Sequence, residues 1–370
     1  MTVDQIVGGA IWVQLMILLA ALVFAVFEGL LLLSGNRRHY LTRRRLGVAT
    51  IACLGSLPFI MPYLSKTSYA ASVNATDVIV AQVLKGNIGI SAIEMNNLFQ
   101  IKARVMEHLT TGRSVTAQLV IAVFLTALIL RAAYILVNLW RVRRSIRQGW
   151  VIHRSRRMKL IMSPHITVPY STRGLWFYYV VIPQSFSGDR RAMQMALGHE
   201  MQHIRQGDVD AEVLMSILSP LVVLNPGFWF LSSRLRKLGE LACDRAYLAR
   251  SGFDAHGYSL RLLTLAKQNL SNPAQPTALG VPLAGRNILF KGHRSILKER
   301  ILAIAHDQED PKRETIWFAF ALSLMMAVGV LFGAAALAEP PEWSHDRIML
   351  STVANLDRLN ELNTLAQRSW

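Results

Sequence analysis

The stretch that decides the fold is Gly198-His199-Glu200-Met201-Gln202-His203-Ile204-Arg205-Gln206-Gly207-Asp208. It contains the pattern His-Glu-x-x-His, and residues four apart lie on one face of a helix. His199 and His203 can therefore bind one metal ion, with Glu200 beside them as a base that takes a proton from a water molecule. The alternative is that the two histidines are ordinary surface residues that share this spacing by chance.

Residues on both sides of the motif favour a helix. Ser187 and Asp189 offer N-caps before it, and Gly207 suits the position just after the last turn. Between them, the run from Ala192 to Leu197 is helix-forming and partly apolar. We therefore expect the two histidines to lie near the C-terminal end of a single helix.

A second stretch, Gly239-Glu240-Leu241-Ala242-Cys243-Asp244, supplies a candidate third ligand. A catalytic zinc site uses three protein ligands and keeps a fourth position open. Glu240 can complete that set, and Asp244, one helical turn later, can orient a ligand histidine through a hydrogen bond. Cys243 is also a candidate ligand, although a small buried residue is the interpretation that the spacing favours. The alternative for Glu240 and Asp244 is a solvated face beside basic residues.

The composition indicates a membrane protein. Of the 370 residues, 52% are hydrophobic, and the mean hydropathy is +0.31. Apolar stretches at 6–33, 46–64, 115–140 and 315–338 each approach the length of ~20 residues that spans a bilayer. The first is too long for a cleaved signal peptide and has no basic leader. These stretches predict four transmembrane helices.

Basic residues predict the orientation of these helices in the membrane. The loop 34–45 contains five arginines, and residues 141–314 contain 26 of the 40 Lys and Arg residues against 13 acidic ones. Positive charge accumulates in cytoplasmic loops, so we expect both regions in the cytoplasm, with the N-terminus, the loop 66–114 and the tail 339–370 outside. The excess charge also predicts contact with anionic lipid, whereas no motif for nucleic-acid binding is present.

Weaker patterns suggest how the remaining segments fold. The loop 66–114 contains a helical pattern, and we expect either an external sensor surface or a connector on the outer leaflet. Residues 159–169 and 175–183 predict two short strands whose edge could pair with an extended peptide. The apolar segment 211–232, broken at Asn225-Pro226-Gly227, predicts a bent helical hairpin that returns Glu240 to the histidines.

In combination these features resemble the BlaR1/MecR1-type membrane metallopeptidases, the M56 peptidase family. The resemblance is carried by residues 199–208, Asn225-Pro226, residues 240–244 and Leu297-Lys298-Glu299-Arg300-Ile301. It implies an integral membrane, mainly α protein: four transmembrane helices and a cytoplasmic α+β zincin-like (gluzincin) metalloprotease domain at 141–314. It also implies location in a bacterial inner membrane and cleavage of a repressor, or of the chain itself, after an outside signal.

The chain departs from the family pattern at its C-terminus. BlaR1-type receptors carry a large external penicillin-binding domain, whereas 32 residues follow the fourth predicted span here. That length is far below the size of an ordinary domain. We therefore expect a signal to enter through the loop 66–114, the spans, the tail or a partner protein, and not through such a module.

The chemistry expected is metal-assisted peptide hydrolysis. His199, His203 and Glu240 would hold Zn²⁺. Glu200 would act as the general base. Asp244 and Asp208 would orient the histidines, although Asp208 suits a helix-end cap equally well. The candidates to stabilise the tetrahedral oxyanion are Tyr178, Tyr179, His165 and Arg173.

Two other functions fit the same sequence. One is a quality-control protease similar to the HtpX/Ste24 type, and the other is a non-catalytic membrane receptor or scaffold with a structural zinc site. The intact Glu200 disfavours a scaffold, because a structural site needs no base. The partners expected are a protein substrate (a transcriptional repressor or the chain itself), the lipid bilayer and a second copy of the chain in a homo-oligomer.

Overall fold

The structure is a computed structural model that describes residues 3–33, 39–64, 75–111, 114–166, 168–271, 293–306, 316–336 and 345–368. Parts of the predicted segments lie outside these ranges. They are residues 34–38 of the basic loop, 66–74 and 112–113 of the external loop, 167, 272–292 and 307–314 of the protease domain, 315 and 337–338 of the fourth span, and 339–344 and 369–370 of the tail. The chain divides into two compact units. The first contains Met1–Val23, Ala49–Phe124 and Leu324–Trp370, and the second contains Phe24–Val48 and Leu125–Ser323.

Helices make up most of the described chain. Before the sheet they are α1 (Val3–Leu33), α2 (Tyr40–Leu64), α3 (Ala75–Leu84), α4 (Ala92–Thr111) and α5 (Val115–Arg147). After the sheet they are α6 (Arg190–Gln206), α7 (Asp208–Leu218), α8 (Pro226–Ser251), α9 (Ala255–Ser271), α10 (His293–His306), α11 (Ile316–Ala336) and α12 (His345–Arg368).

Two helices of the described chain are long and apolar enough to cross a membrane. They are Val7–Leu33, within α1, and Val115–Arg147, which is α5. A further apolar stretch in α11, Leu322–Leu331, is shorter. The first and third predicted spans therefore coincide with candidate membrane helices. The spans expected at 46–64 and 315–338 stay predictions, although α2 and α11 are helical there.

In the first unit, the predicted loop 66–114 contains two helices that pack against the C-terminal tail. Val80 and Met95, from α3 and α4, share a buried apolar cluster with Leu350 of α12. This packing joins two segments that the topology prediction places on the same side of the membrane.

The second unit contains a four-stranded sheet. Its strands are β1 (Trp150–Arg154), β2 (Met158–Ser163), β3 (Tyr170–Arg173) and β4 (Tyr178–Pro183), in the order β1-β2-β4-β3. Strands β2 and β4 are parallel, and the other pairs are antiparallel. The two predicted strands correspond to β2 and β4, but β1 and β3 were not predicted. The sequence of β1, Trp-Val-Ile-His-Arg, is short and does not alternate between apolar and polar residues, so no period-2 pattern reveals this edge strand.

The helix that carries the metal motif, α6, packs on one face of this sheet. Val180 and Ile182 of β4 form a buried cluster with Ala192 and Ala196 of α6. The predicted N-cap is confirmed, since the Asp189 carboxylate accepts the N–H of Ala192 at 2.9 Å. The predicted end is also confirmed, because Gly207 has a φ of 74° in the left-handed region, where glycine has no steric penalty.

The predicted hairpin after α6 is confirmed as α7, a short run of turns and α8. The Asn225 side chain accepts the N–H of Phe228 at 3.2 Å, and Pro226 occupies the first turn of α8, where its missing N–H costs nothing. Helix α8 then returns along α6. Its second half packs with α9 and α10 in a cluster that contains Met195, Tyr247 and Ile304.

Helices α6 and α8 approach each other closely at Gly198. A Cβ atom built on Gly198 would collide with the ring of Tyr247, which is buried and stacked on Phe253 with ring centroids 6.0 Å apart. A ring held on both sides cannot swing away from an added methyl group. Glycine at 198 therefore fixes the separation of the two helices that carry the candidate ligands.

We expect Gly198→Ala to lower the free energy of unfolding by about 1–3 kcal/mol, the usual cost of forcing an extra carbon into a packed core. The measurement is a denaturant titration of the detergent-purified chain. Gly188→Ala is the matched control, because a Cβ there meets no atom within 4 Å. Equal stability of the two variants would show that the helices are not in contact at Gly198.

Candidate metal centre

Three side chains from α6 and α8 converge on one point. The Nε2 atoms of His199 and His203 are 3.1 Å apart. The Glu240 carboxylate lies 3.6 Å from the first through Oε2 and 3.5 Å from the second through Oε1. Ligand atoms about 2.0–2.1 Å from a tetrahedral zinc ion are roughly 3.3–3.4 Å apart. The triangle therefore has the size of a three-ligand zinc site.

The other ring nitrogens of the two histidines face carboxylates. Nδ1 of His203 lies 2.9 Å from Asp208 Oδ2. Nδ1 of His199 lies 3.0 Å from the Tyr258 hydroxyl and 3.4 Å from Asp244 Oδ1. A proton on each Nδ1 satisfies these contacts and leaves the lone pair of each Nε2 free for a metal.

An arginine and a tyrosine fix Asp244, which is 1% exposed. Arg300 of α10 donates from Nε and Nη2 to the two carboxylate oxygens at 2.7 and 2.8 Å, and Tyr258 donates to Oδ1 at 2.7 Å. The Nη1 atom of Arg300 also lies 2.8 Å from Glu240 Oε2. One guanidinium thus positions both the third ligand and the carboxylate behind His199.

The pKa values of the cluster indicate an environment that favours positive charge. Burial alone lowers the pKa of His199, but the sulfur of Cys243 and the carboxylate of Glu240 outweigh burial and raise it to about 10. The pKa of His203 is raised well above its usual range against the same burial effect, through Cys243, Glu240 and Asp208. Burial opposes ionisation of Glu240, yet Arg300 and the two histidines hold its pKa well below the usual range.

Cys243 offers an alternative third ligand, because its sulfur falls within 4.8 Å of nitrogen atoms of both histidines. Its thiol donates to the backbone carbonyl of His199 at 3.3 Å and lies 3.5 Å from Nδ1 of that ring. Nδ1 is the nitrogen on the side of Tyr258 and Asp244. Glu240 instead faces both Nε2 atoms, so His199, His203 and Glu240 form the tighter ligand set.

Glu200 lies on α6 next to His199 and is only 9% exposed. Within the described part of the chain its carboxylate makes no hydrogen bond or ion pair with another side chain. The role of Glu200 as the general base stays a prediction.

The four oxyanion candidates occupy other positions. Arg173 and Tyr178 both contact the carboxylate of Asp210, at 2.5 and 2.9 Å, which joins the β3–β4 hairpin to α7. Tyr179 packs against a buried apolar cluster that contains Ile161 and Val181. The backbone N–H of His165 donates to Ser163 Oγ at 3.4 Å. Among the described residues, no hydrogen bond or ion pair connects these four to the candidate ligands.

Sequence reasoning missed two residues of the centre, Tyr258 and Arg300. Arg300 lies in the stretch 297–301 that contributed to the family resemblance, and this was the available signal for it. Tyr258 begins the second turn of α9 in no recognisable motif. A third feature without a signal is Gly239, where a Cβ would lie 3.3 Å from Asp208 Oδ1 and so crowd the partner of His203.

The comparison with known families gives one match. The family model described as BlaR1 peptidase M56 matches residues 11–304, which include the candidate ligands, Glu200 and Arg300. No curated protein matches the chain. A match over these 294 of 370 residues covers most of the chain and confirms the predicted resemblance to this family. The chain belongs to the M56 peptidase family, the family of the BlaR1 peptidase.

Proposed function

We propose that this chain is a zinc-dependent metalloendopeptidase that hydrolyses peptide bonds on the cytoplasmic side of a bacterial inner membrane. The observation that carries the proposal is the convergence of two Nε2 atoms and one carboxylate within 3.6 Å, beside Glu200. Membership of a peptidase family supports a peptide substrate. The role we infer is signalling, through cleavage of a transcriptional repressor or of the chain itself.

In this proposal His199, His203 and Glu240 hold the zinc ion. Zinc, when bound, supplies the positive charge that acidifies water and polarises the scissile carbonyl. Glu200 accepts a proton from the attacking water and delivers it to the leaving amine. Asp208 and the pair of Asp244 and Tyr258 keep each imidazole in the tautomer that presents Nε2.

The proposed topology places residues 141–314 in the cytoplasm. It rests on the candidate membrane helices α1 and α5, on the further spans proposed at 46–64 and 315–338, and on the 26 Lys and Arg residues between 141 and 314. The N-terminus, the helices α3 and α4 and the tail that contains α12 would then be external. Their shared apolar cluster makes this helical layer a candidate to receive the outside signal.

The experiment that tests the function is mass-spectrometric mapping of new protein N-termini in host cells. The wild-type chain is compared with Glu200→Gln at equal expression. One or two cuts that depend on Glu200, in a regulator or in this chain, support the signalling protease. Cuts spread over many membrane proteins would favour quality control, and no difference under several envelope stresses would favour the receptor or scaffold.

Once a substrate is identified, we expect Glu200→Gln to lower the rate of peptide cleavage by about 10²–10⁴-fold, because the amide cannot accept the proton of the attacking water. Zinc content should stay at the wild-type level, since Glu200 is not a ligand. The matched control is Glu212→Gln, which removes a carboxylate that pairs with Arg236 instead. Equal rates for Glu200→Gln and wild type would exclude Glu200 as the base.

The two possible ligand sets predict opposite metal contents for two variants. We expect Glu240→Gln to lose most of its zinc after dialysis against a mild chelator, whereas Cys243→Ser keeps one zinc per chain. The measurement is the zinc content of the purified, dialysed variants by elemental analysis. If Glu240→Gln kept its zinc and Cys243→Ser lost it, the third ligand would be the Cys243 thiolate and not the Glu240 carboxylate.

Asp208 and Asp210 lie two residues apart on α7 but have different partners. Asp208 faces His203, while Asp210 binds Arg173 and Tyr178. We therefore expect Asp208→Asn to weaken zinc binding by about 10–100-fold, the usual effect of losing a carboxylate behind a ligand histidine. Asp210→Asn should leave zinc affinity unchanged in the same chelator competition, and equal effects would rule out an orienting role for Asp208.

A further inference from the structure

A cavity lies near the candidate metal centre. It has a volume of about 310 Å³ and lies between the first turns of α2, the end of α6 and the second half of α8. Its polar lining consists of four arginines and two glutamines: Arg44, Arg45, Arg205, Arg250, Gln202 and Gln206. No carboxylate lines it in the part of the chain that the structure describes.

The charges around this cavity are unbalanced. Of the four lining arginines, Arg44 pairs with the carboxylate of Asp208, which also faces His203. Arg250 donates to the neutral amide of Gln202 at 3.1 Å. Guanidinium groups that converge on one space repel each other, and an anion between them removes this repulsion. Their planar donor forks match the oxygens of a phosphate group.

Helix α2 is anchored firmly enough to form one wall of a site. Arg44 is 8% exposed and donates to Asp208 Oδ1 and to the backbone carbonyl of Gln206, both at 2.6 Å. Arg43, the residue before Arg44, donates a hydrogen bond to the buried carboxylate of Glu28. Arg234 of α8 donates to the same carboxylate. These contacts hold the start of α2 against α6 and α8.

We propose that the cavity binds a phosphorylated anion. The arginines that line it recognise the phosphate. A volume of about 310 Å³ is at the lower end of the range for small-molecule sites and exceeds what inorganic phosphate needs. Both a phosphatidylglycerol headgroup and a soluble organic phosphate have this chemistry. The proposal does not depend on peptidase activity.

The test uses the full chain purified in detergent. Two probes are applied: phosphatidylglycerol, detected by native mass spectrometry against phosphatidylcholine, and glycerol 3-phosphate, followed by calorimetry. We expect one bound molecule per chain and at least a tenfold loss of affinity in the double variant Arg45→Gln/Arg250→Gln, because each removes a charge-assisted hydrogen bond. Retention of the lipid in the presence of excess glycerol 3-phosphate assigns the site to the membrane, and displacement assigns it to a soluble ligand.

The control is Arg154→Gln/Arg156→Gln, which removes the same formal charge from exposed residues at the β1–β2 turn. It should bind both probes as wild type does. Equal weakening in the two double variants would mean general electrostatic attraction and would overturn the proposal, as would the absence of binding of either probe to wild type.

If Arg45→Gln/Arg250→Gln does not fold, Arg250→Gln alone, at the exposed end of α8, should weaken binding in the same direction. Zinc content is measured for every variant, so that failure of the anion site is distinguished from failure of the metal centre.

Discussion

The candidate metal centre depends on the close crossing of α6 and α8. Gly198 lies against the ring of Tyr247, and Gly239 lies against the carboxylate of Asp208. A side chain at 198 would push α6 and α8 apart, whereas one at 239 would displace the Asp208 carboxylate, at the start of α7, by a few tenths of an ångström. Glu240 would then no longer reach between the two Nε2 atoms, whose distances to its oxygens are 3.5 and 3.6 Å. The metal site is therefore set first by steric constraint and only then by the identity of its ligands.

Around this crossing, two similar series of polar contacts each run from an arginine through a carboxylate to a histidine. Each candidate histidine ligand faces a carboxylate through Nδ1, and each carboxylate is bound by an arginine from a helix outside the crossing. Arg44 of α2 binds Asp208, and Arg300 of α10 binds Asp244. A carboxylate removed from water costs several kcal/mol unless a partner compensates it. The orientation of both imidazoles thus rests on cations that neither α6 nor α8 supplies.

The sequence predicted those parts of the site whose spacing is local. His199 and His203 share a helix face, Asp189 and Gly207 bound that helix, and the turn at Asn225 returns the chain. The arginines could not be found in this way. Arg300 is 56 residues from Asp244 and Arg44 is 164 residues from Asp208, so that no periodicity connects the partners. Strands β1 and β3 were missed for a related reason, because their signal is pairing with β2 and β4 and not a pattern of their own.

Arg44 and Arg300 connect the candidate metal centre directly to two other helices. One of these, α2, precedes α6 in the sequence, and the other, α10, follows α8. Helix α2 follows the basic loop after α1, and α10 lies before α11, the helix at the fourth predicted span. Separation of either helix from the centre leaves one carboxylate without its cation and one imidazole without a fixed partner. Because linkage is reciprocal, any ion that requires both imidazoles in place also stabilises the docked positions of α2 and α10. Metal binding and the packing of these two helices are therefore parts of a single equilibrium, and this coupling needs no additional domain.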